Sequence, residues 1–246
     1  MTTTKVIYVL EARDEGDRRA FVSDLLAIAH KMADLAPAGL RVNVQDGDVD
    51  WGDCVEHHPA LGLRSAFGPF EAVAQLWLDD ANDAALAPFE TLLRTVTPRV
   101  HGYLVDERVL VHNLRQSAVA GGRNDGYSQM ALLQIPERLT RQQWLSAWQD
   151  RHTWVALSIH PHLEYIQNVV VRAVTPDAPP ISGIGEEAFP MAGLHDERPL
   201  FRGGESDDAK YEELHTIMYE DASRFIDFDH LDMIVSSQFD LVQPPR

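Results

Sequence analysis

Two stretches decide the fold: Phe70-Glu-Ala-Val-Ala-Gln-Leu-Trp-Leu78 and Ile181-Ser-Gly-Ile-Gly-Glu-Glu-Ala-Phe189. Each lies about two-thirds of the way through its own half of the chain. Each follows the same coarse order of strand, helix and strand, and precedes another helix and strand. The spacing therefore predicts an α+β protein made of two tandem β-α-β-β-α-β units, residues 1–114 and 127–246, joined by a linker at 115–126.

In the first half, Lys5 to Leu10 reads as a strand. Phe21, Leu25, Ile28 and Met32 recur at three or four residues, the period of a helix from about Asp17 to Asp34. Leu40, Val42 and Val44 alternate with Arg41, Asn43 and Gln45, which predicts a strand with one buried face. An irregular stretch, Asp46 to Pro69, leads to Phe70–Leu78. Asn82 or Asp83 can cap a second helix through Val96, and Val100 to Val111 closes the unit. Gly121, Gly122, Asn124, Asp125 and Gly126 give the linker its composition.

The second half repeats the order. Ser128 to Gln134 is its first strand. Thr140-Arg-Gln-Gln143 has the form of a capping box, in which hydroxyl and amide side chains satisfy each other's free backbone N–H groups. In the helix that follows, Trp144, Trp148, His152, Val155 and Ala156 fall on one stripe until Pro161 ends it. Strands at His162 to Val171 and Ile181 to Phe189, a helix from Asp207 to Ile226 and a strand from Leu231 to Leu241 complete the unit. Sheets of this kind carry helices on one face and leave the other needing cover. The two units are expected to cover each other as ferredoxin-like halves of a pseudo-symmetric α+β barrel, with pairing to a second copy of the chain optional.

Composition narrows the function. A formal charge of −17 repels a phosphate backbone, so nucleic acid is not an expected partner. No apolar run approaches the ~20 residues that cross a bilayer, and the single Cys54 suits a reducing cytoplasm. His57-His58 and His160-Pro-His162 lack the spacing of a metal site. Gly121-Gly-Arg and Gly203-Gly-Glu lack the context of a phosphate loop. A Gly-x-Ser-x-Gly elbow is absent, and Cys54 has no base near it in sequence. Proton transfer without a cofactor is the chemistry that remains.

Three segments resemble the EthD family of the dimeric α+β barrel superfamily: Trp144-Leu-Ser-Ala-Trp-Gln-Asp-Arg-His152, Tyr165-Ile-Gln-Asn168, and Gly183-Ile-Gly-Glu186 running to Phe189. Val73-Ala-Gln-Leu-Trp-Leu-Asp79 is similar to the family's apolar strand. The sequence departs from the family pattern at Ser182, Glu71 and Ala72, and the first half offers only Ala29 or His30 where the second has His152. The resemblance implies a scaffold in the first half and a site in the second. It also implies a small dehydratase, isomerase or cyclase acting on aromatic or polyketide-like compounds, or an accessory protein of a catabolic oxygenase. A haem-related activity is a third reading, which needs an axial ligand facing a large cavity.

His152 is the candidate general base, because an imidazole can take and return a proton near neutral pH; a satisfied core histidine is the other reading. Glu186 is expected either to orient His152 or to pair with Arg151 or Arg172. Tyr165 can donate to an oxyanion, and Asn168 can orient a ligand. Alternation along the strand places Leu163, Tyr165, Gln167 and Val169 on one face, and His162, Glu164, Ile166 and Asn168 on the other. Trp144, Trp148, Tyr165 and Phe189 are the expected apolar walls of the pocket.

Overall fold

The computed structural model describes residues 3–11, 18–49, 70–113 and 115–245. Cys54, His57, His58 and most of the irregular stretch lie outside them. Eight strands form a closed antiparallel barrel: β1 (Thr4–Glu11), β2 (Gly39–Val44), β3 (Phe70–Leu78), β4 (Val100–Val111), β5 (Tyr127–Leu133), β6 (Glu164–Ala173), β7 (Gly183–Phe189) and β8 (Asp232–Val242). Around the barrel they run β1-β3-β2-β8-β5-β7-β6-β4. Within each half the order is therefore fourth, first, third, second. Phe70–Leu78 pairs on both sides, with β1 and β2, and Gly183–Phe189 does so with β5 and β6. The two stretches hold equivalent places.

Two seams close the barrel, β2 against β8 and β4 against β6. Closure leaves no free sheet edge, which removes the template for unwanted strand pairing. It also changes what alternation means. The expectation of one buried face on β2 is corrected: all six residues of Gly39–Val44 are buried. Leu40, Val42 and Val44 face outward beneath helix α1 (Arg18–Ala33), whose Phe21, Leu25, Ile28 and Met32 meet them in one apolar cluster. Arg41 and Asn43 face the lumen, where each polar atom needs a protein partner.

The lumen supplies those partners. Toward one end it is apolar, filled by Ile7, Val9, Val73, Tyr103, Met130 and Ile184 among others. Toward the other it is charged. The Arg41 guanidinium donates twice to Glu164, at 2.8 and 3.1 Å, and through Nε to Asp240 at 2.7 Å. Lys5 donates to Glu186 at 2.6 Å and to Glu107 at 2.8 Å, and its Nζ sits 4.7 Å above the Trp77 ring. Gln75 and Asn168 each donate to Glu186 as well, at 2.9 and 2.6 Å. The first half brings both cations, and the second half brings three of the four carboxylates.

The segment 115–126 is held against β8. Asn124 is buried, its amide donating to Asp240 and Gln238, and Gly121 and Asn124 donate backbone N–H bonds to the same strand. Outside the first half lie α1 and α2 (Asp83–Val96), the latter capped by Asn82 accepting from the N–H of Ala85. Outside the second half a capping box at Thr140 and Gln143 starts α3 (Arg141–Leu145), as expected. The helix then widens into a π-helical stretch, Ser146–His152, before α4 (Thr153–Ile159). Helix α5 (Asp208–Ala222) packs beside α4.

Replacing Arg41 by Met leaves Glu164 and Asp240 buried without their cation, and should cost about 3–5 kcal/mol in urea unfolding. Burial alone pushes the Glu186 carboxyl up, but Lys5, Arg41 and the hydrogen bonds to it outweigh that and hold it below the ordinary carboxylate range. Its contribution to stability is thus full above pH ~4.3 and is lost as pH falls toward the folded value. Glu186→Gln should flatten that part of a plot of urea midpoint against pH.

Candidate active site

A cavity of about 210 Å³ lies between the outer face of the second-half sheet and the helices over it. Gln129 and Ala131 of β5, Glu187 and Phe189 of β7 and Met233 of β8 form its floor. His152, His160 and the α5 residues Met218 and Ala222 form the helical side, with Leu200, Phe201 and Phe228 from the connecting segments.

His152 is the last residue of the π-helical stretch and is 8% exposed. Such wide turns are rare and recur at functional sites, because they shift the phase of the residues that follow. Here the stretch carries the chain from Trp148, which lies in the core, to His152, which reaches the cavity. Nδ1 of His152 lies 2.9 Å from Oδ2 of Asp221, on α5, and Nε of Arg151 donates to Oδ1 of the same carboxylate at 2.6 Å. Burial raises the Asp221 pKa, but the hydrogen bonds from His152 and Arg151 prevail and hold it below the usual range. An ionised carboxylate only accepts, so in the neutral ring the proton sits on Nδ1 and Nε2 keeps a lone pair. Nε2 has no hydrogen-bond partner among the described residues. The Phe225 ring, 4.7 Å away, holds the imidazole on its other side.

A second polar group lines the floor. Nε2 of His162 lies 2.8 Å from Oε1 of Glu187, and His162 stacks on Tyr165 at 4.8 Å. Burial opposes ionisation of Glu187; the hydrogen bond from His162 and the neighbouring imidazoles outweigh it and set the pKa at about 2. His160, the cap of α4, donates from Nδ1 to the carbonyl of Leu200, and burial pushes its pKa down to about 4. Groups of three or more His, Cys, Asp or Glu arranged to hold a metal are absent among the described residues.

The other residues singled out from the sequence are placed elsewhere. Glu186 and Asn168 face the lumen, on the opposite side of the sheet from His152, so the pairing of Glu186 with His152, Arg151 or Arg172 is corrected to Lys5, Arg41, Gln75 and Asn168. Trp144 and Trp148 lie in an apolar core cluster with Leu133, Val169 and Phe225 and do not line the cavity. Their indoles lie against Gly183, where a Cβ would come within 2.8 Å of both rings; that is why the strand carries glycine at this point. Tyr165 is buried under the helix, its hydroxyl accepting from Gln167 at 2.9 Å, and is not part of the cavity wall. His162 shares the face of Tyr165, because β6 begins only at Glu164 and alternation does not reach back to 162. Phe189 does line the cavity. Asp221 is the residue that sequence reasoning missed. Its signal was an acid on the apolar face of a helix, spaced from Leu214 and Met218 like a core residue.

No protein-family model matches this chain, and no curated protein is similar to it in sequence. Solved structures are similar in fold. An anthrone oxidase-like protein superposes with a TM-score of 0.53 at 8% identity, over 99% of this chain and 92% of that one. A provisionally named monooxygenase from Fusobacterium nucleatum subsp. nucleatum ATCC 25586 gives 0.49 at 7% identity, over 98% and 93%. A dye-decolorizing peroxidase from Bacteroides thetaiotaomicron VPI-5482 gives 0.45 at 12%, over 98% and 93%. The likeness to the first shows a shared α+β barrel fold.

The tautomer is open to direct measurement. Long-range imidazole nitrogen spectra at neutral pH should show His152 protonated on Nδ1 when neutral, and Asp221→Ala should remove that preference and give a mixture of tautomers.

Proposed function

We propose that this is a tandem EthD-type protein, with ferredoxin-like units at 1–114 and 127–246, whose second half is a cofactor-independent lyase, isomerase or cyclase. Its substrate is a small aromatic or polyketide-like carbonyl compound. What supports this reading above all is His152: a carboxylate holds Nδ1, and the Nε2 lone pair has no partner among the described residues, in a cavity walled largely by apolar and aromatic side chains. Nε2 takes a proton from carbon next to the substrate carbonyl, and the electron pair of that C–H bond moves into the enolate. Asp221 stabilises the imidazolium that results. The proton then returns to a different carbon, giving isomerisation, or to a departing hydroxyl group, giving elimination of water.

The oxyanion role expected of Tyr165 is not retained, since its side chain is buried beneath the helix and does not line the cavity. A haem group does not fit the cavity. His152 could serve as an axial ligand, but about 210 Å³ is less than the ~300–1,000 Å³ of pockets that take even drug-sized ligands.

His152→Ala should lower turnover of an aromatic carbonyl substrate by on the order of 10²-fold or more, with the far-ultraviolet circular dichroism unchanged. Asp221→Asn should also lower it, because an amide can donate to Nδ1 and leave the proton on the cavity-facing nitrogen. Full turnover in the His152→Ala variant would overturn the assignment.

A further inference from the structure

The polar atoms of the cavity have a bias of their own. His152 Nε2 is a lone pair on the helical wall. His160 gives its Nδ1 proton to the Leu200 carbonyl, and burial keeps the ring neutral with a pKa of about 4, so its Nε2 is a second lone pair. Glu187 takes the His162 bond on Oε1 and leaves Oε2 without a protein donor among the described residues. Lysine and arginine are absent from the described lining. Gln129 is the one amide on the floor, and the donors of His215 and Tyr219 belong to side chains 41% and 53% exposed, at the rim.

We propose that this cavity selects a neutral arene of one ring carrying two hydroxyl groups, one donating to His152 and the other to the acceptors of His160 and Glu187, and that it excludes carboxylates. The inference rests on the reading of this cavity as the ligand site, but not on proton transfer at His152. Volume limits the ligand to about one ring. Phe189, Phe201, Phe228, Met218, Ile226 and Leu231 offer it apolar contact. A ligand that brings no donors leaves the acceptors stripped of water and unpaired, which is how a polar site rejects a close analogue. A ligand carboxylate would instead meet the Glu187 carboxylate in a small space whose described lining holds no lysine or arginine to offset the added charge. An ammonium group would be attracted by Glu187, but it would surrender the hydration of a full charge to walls that are mostly apolar.

Titration of the full chain with resorcinol, hydroquinone, toluene, benzoate and benzylamine, followed by the imidazole resonances of His152 and His160, tests the proposal. At least one dihydroxybenzene should bind at least ~10-fold more tightly than toluene, benzoate or benzylamine, the equivalent of roughly one net hydrogen bond, and should shift both histidines. Glu187→Gln should tighten benzoate by on the order of 10-fold and leave toluene unchanged. Equal or tighter binding of toluene, benzoate or benzylamine to the unaltered chain, or no binding of either dihydroxybenzene, would overturn the proposal. Selective binding of a dihydroxybenzene together with full turnover in His152→Ala would sink the proton-transfer reading and leave this one standing.

Discussion

Barrel closure puts Arg41 of β2 and Lys5 of β1 into the lumen, where both side chains are buried. An isolated charge there would cost several kcal/mol, so the position of each cation depends on carboxylates contributed across the seams. Arg41 finds Glu164 and Asp240, and Lys5 finds Glu186 and Glu107. Apolar patterning resists a one-residue slip along a seam but discriminates less against a slip of two, which keeps every side chain on its own face. A bidentate guanidinium resists both, because its two N–H groups and the two oxygens of Glu164 meet in only one register. The seam pairing of Arg41 with Asp240 and of Glu107 with Asn168 fits this. The charged layer thereby fixes how the two halves sit on each other.

That division of labour leaves the outer faces free to differ. Over the first half, α1 and α2 close onto Val6, Leu10, Leu40 and Leu76 in a continuous apolar layer. Over the second half, Trp144 and Trp148 fill the space against Gly183, and the π-helical stretch ends at His152, which lines the cavity. The cavity lies where that packing stops. His152, held from behind by Asp221 of a separate helix, reaches it from the helical side, and Glu187 rises from the strand beneath. Two halves with the same strand order thus differ in their outer layers, and the second carries the cavity.

Much of the fold was legible because period and punctuation are local. The alternation in Leu40 to Gln45, the three-and-four spacing from Phe21 to Met32, and the Thr140–Gln143 capping box each reflect interactions within a few residues. The error on β2 came from the same rule: alternation reports two chemically different faces, and polar was taken to mean solvent when it meant lumen. At the site, His152 was legible as an imidazole on an otherwise apolar stripe. Its carboxylate was not, since Asp221 follows it by 69 residues and joins it only through the packing of α5 on α4. The choice between Glu186 and Glu187 turned on which side of the sheet faces the helices, and neighbouring residues on a strand look alike until that side is known.

The sequence by itself determined the eight strands, the matching order of elements around Phe70–Leu78 and Ile181–Phe189, and an imidazole as the residue type suited to proton transfer. Those are consequences of side-chain period and of intrinsic chemistry, which a chain carries whether or not it is folded. Only the tertiary structure decided that Glu186 joins a structural network while Glu187 lines a cavity, that two tryptophans are core rather than wall, and that Asp221 holds His152. Each depends on what lies opposite a side chain across a closed barrel or between two layers, and burial makes that opposite group determine whether a charge is kept, paired or left to act.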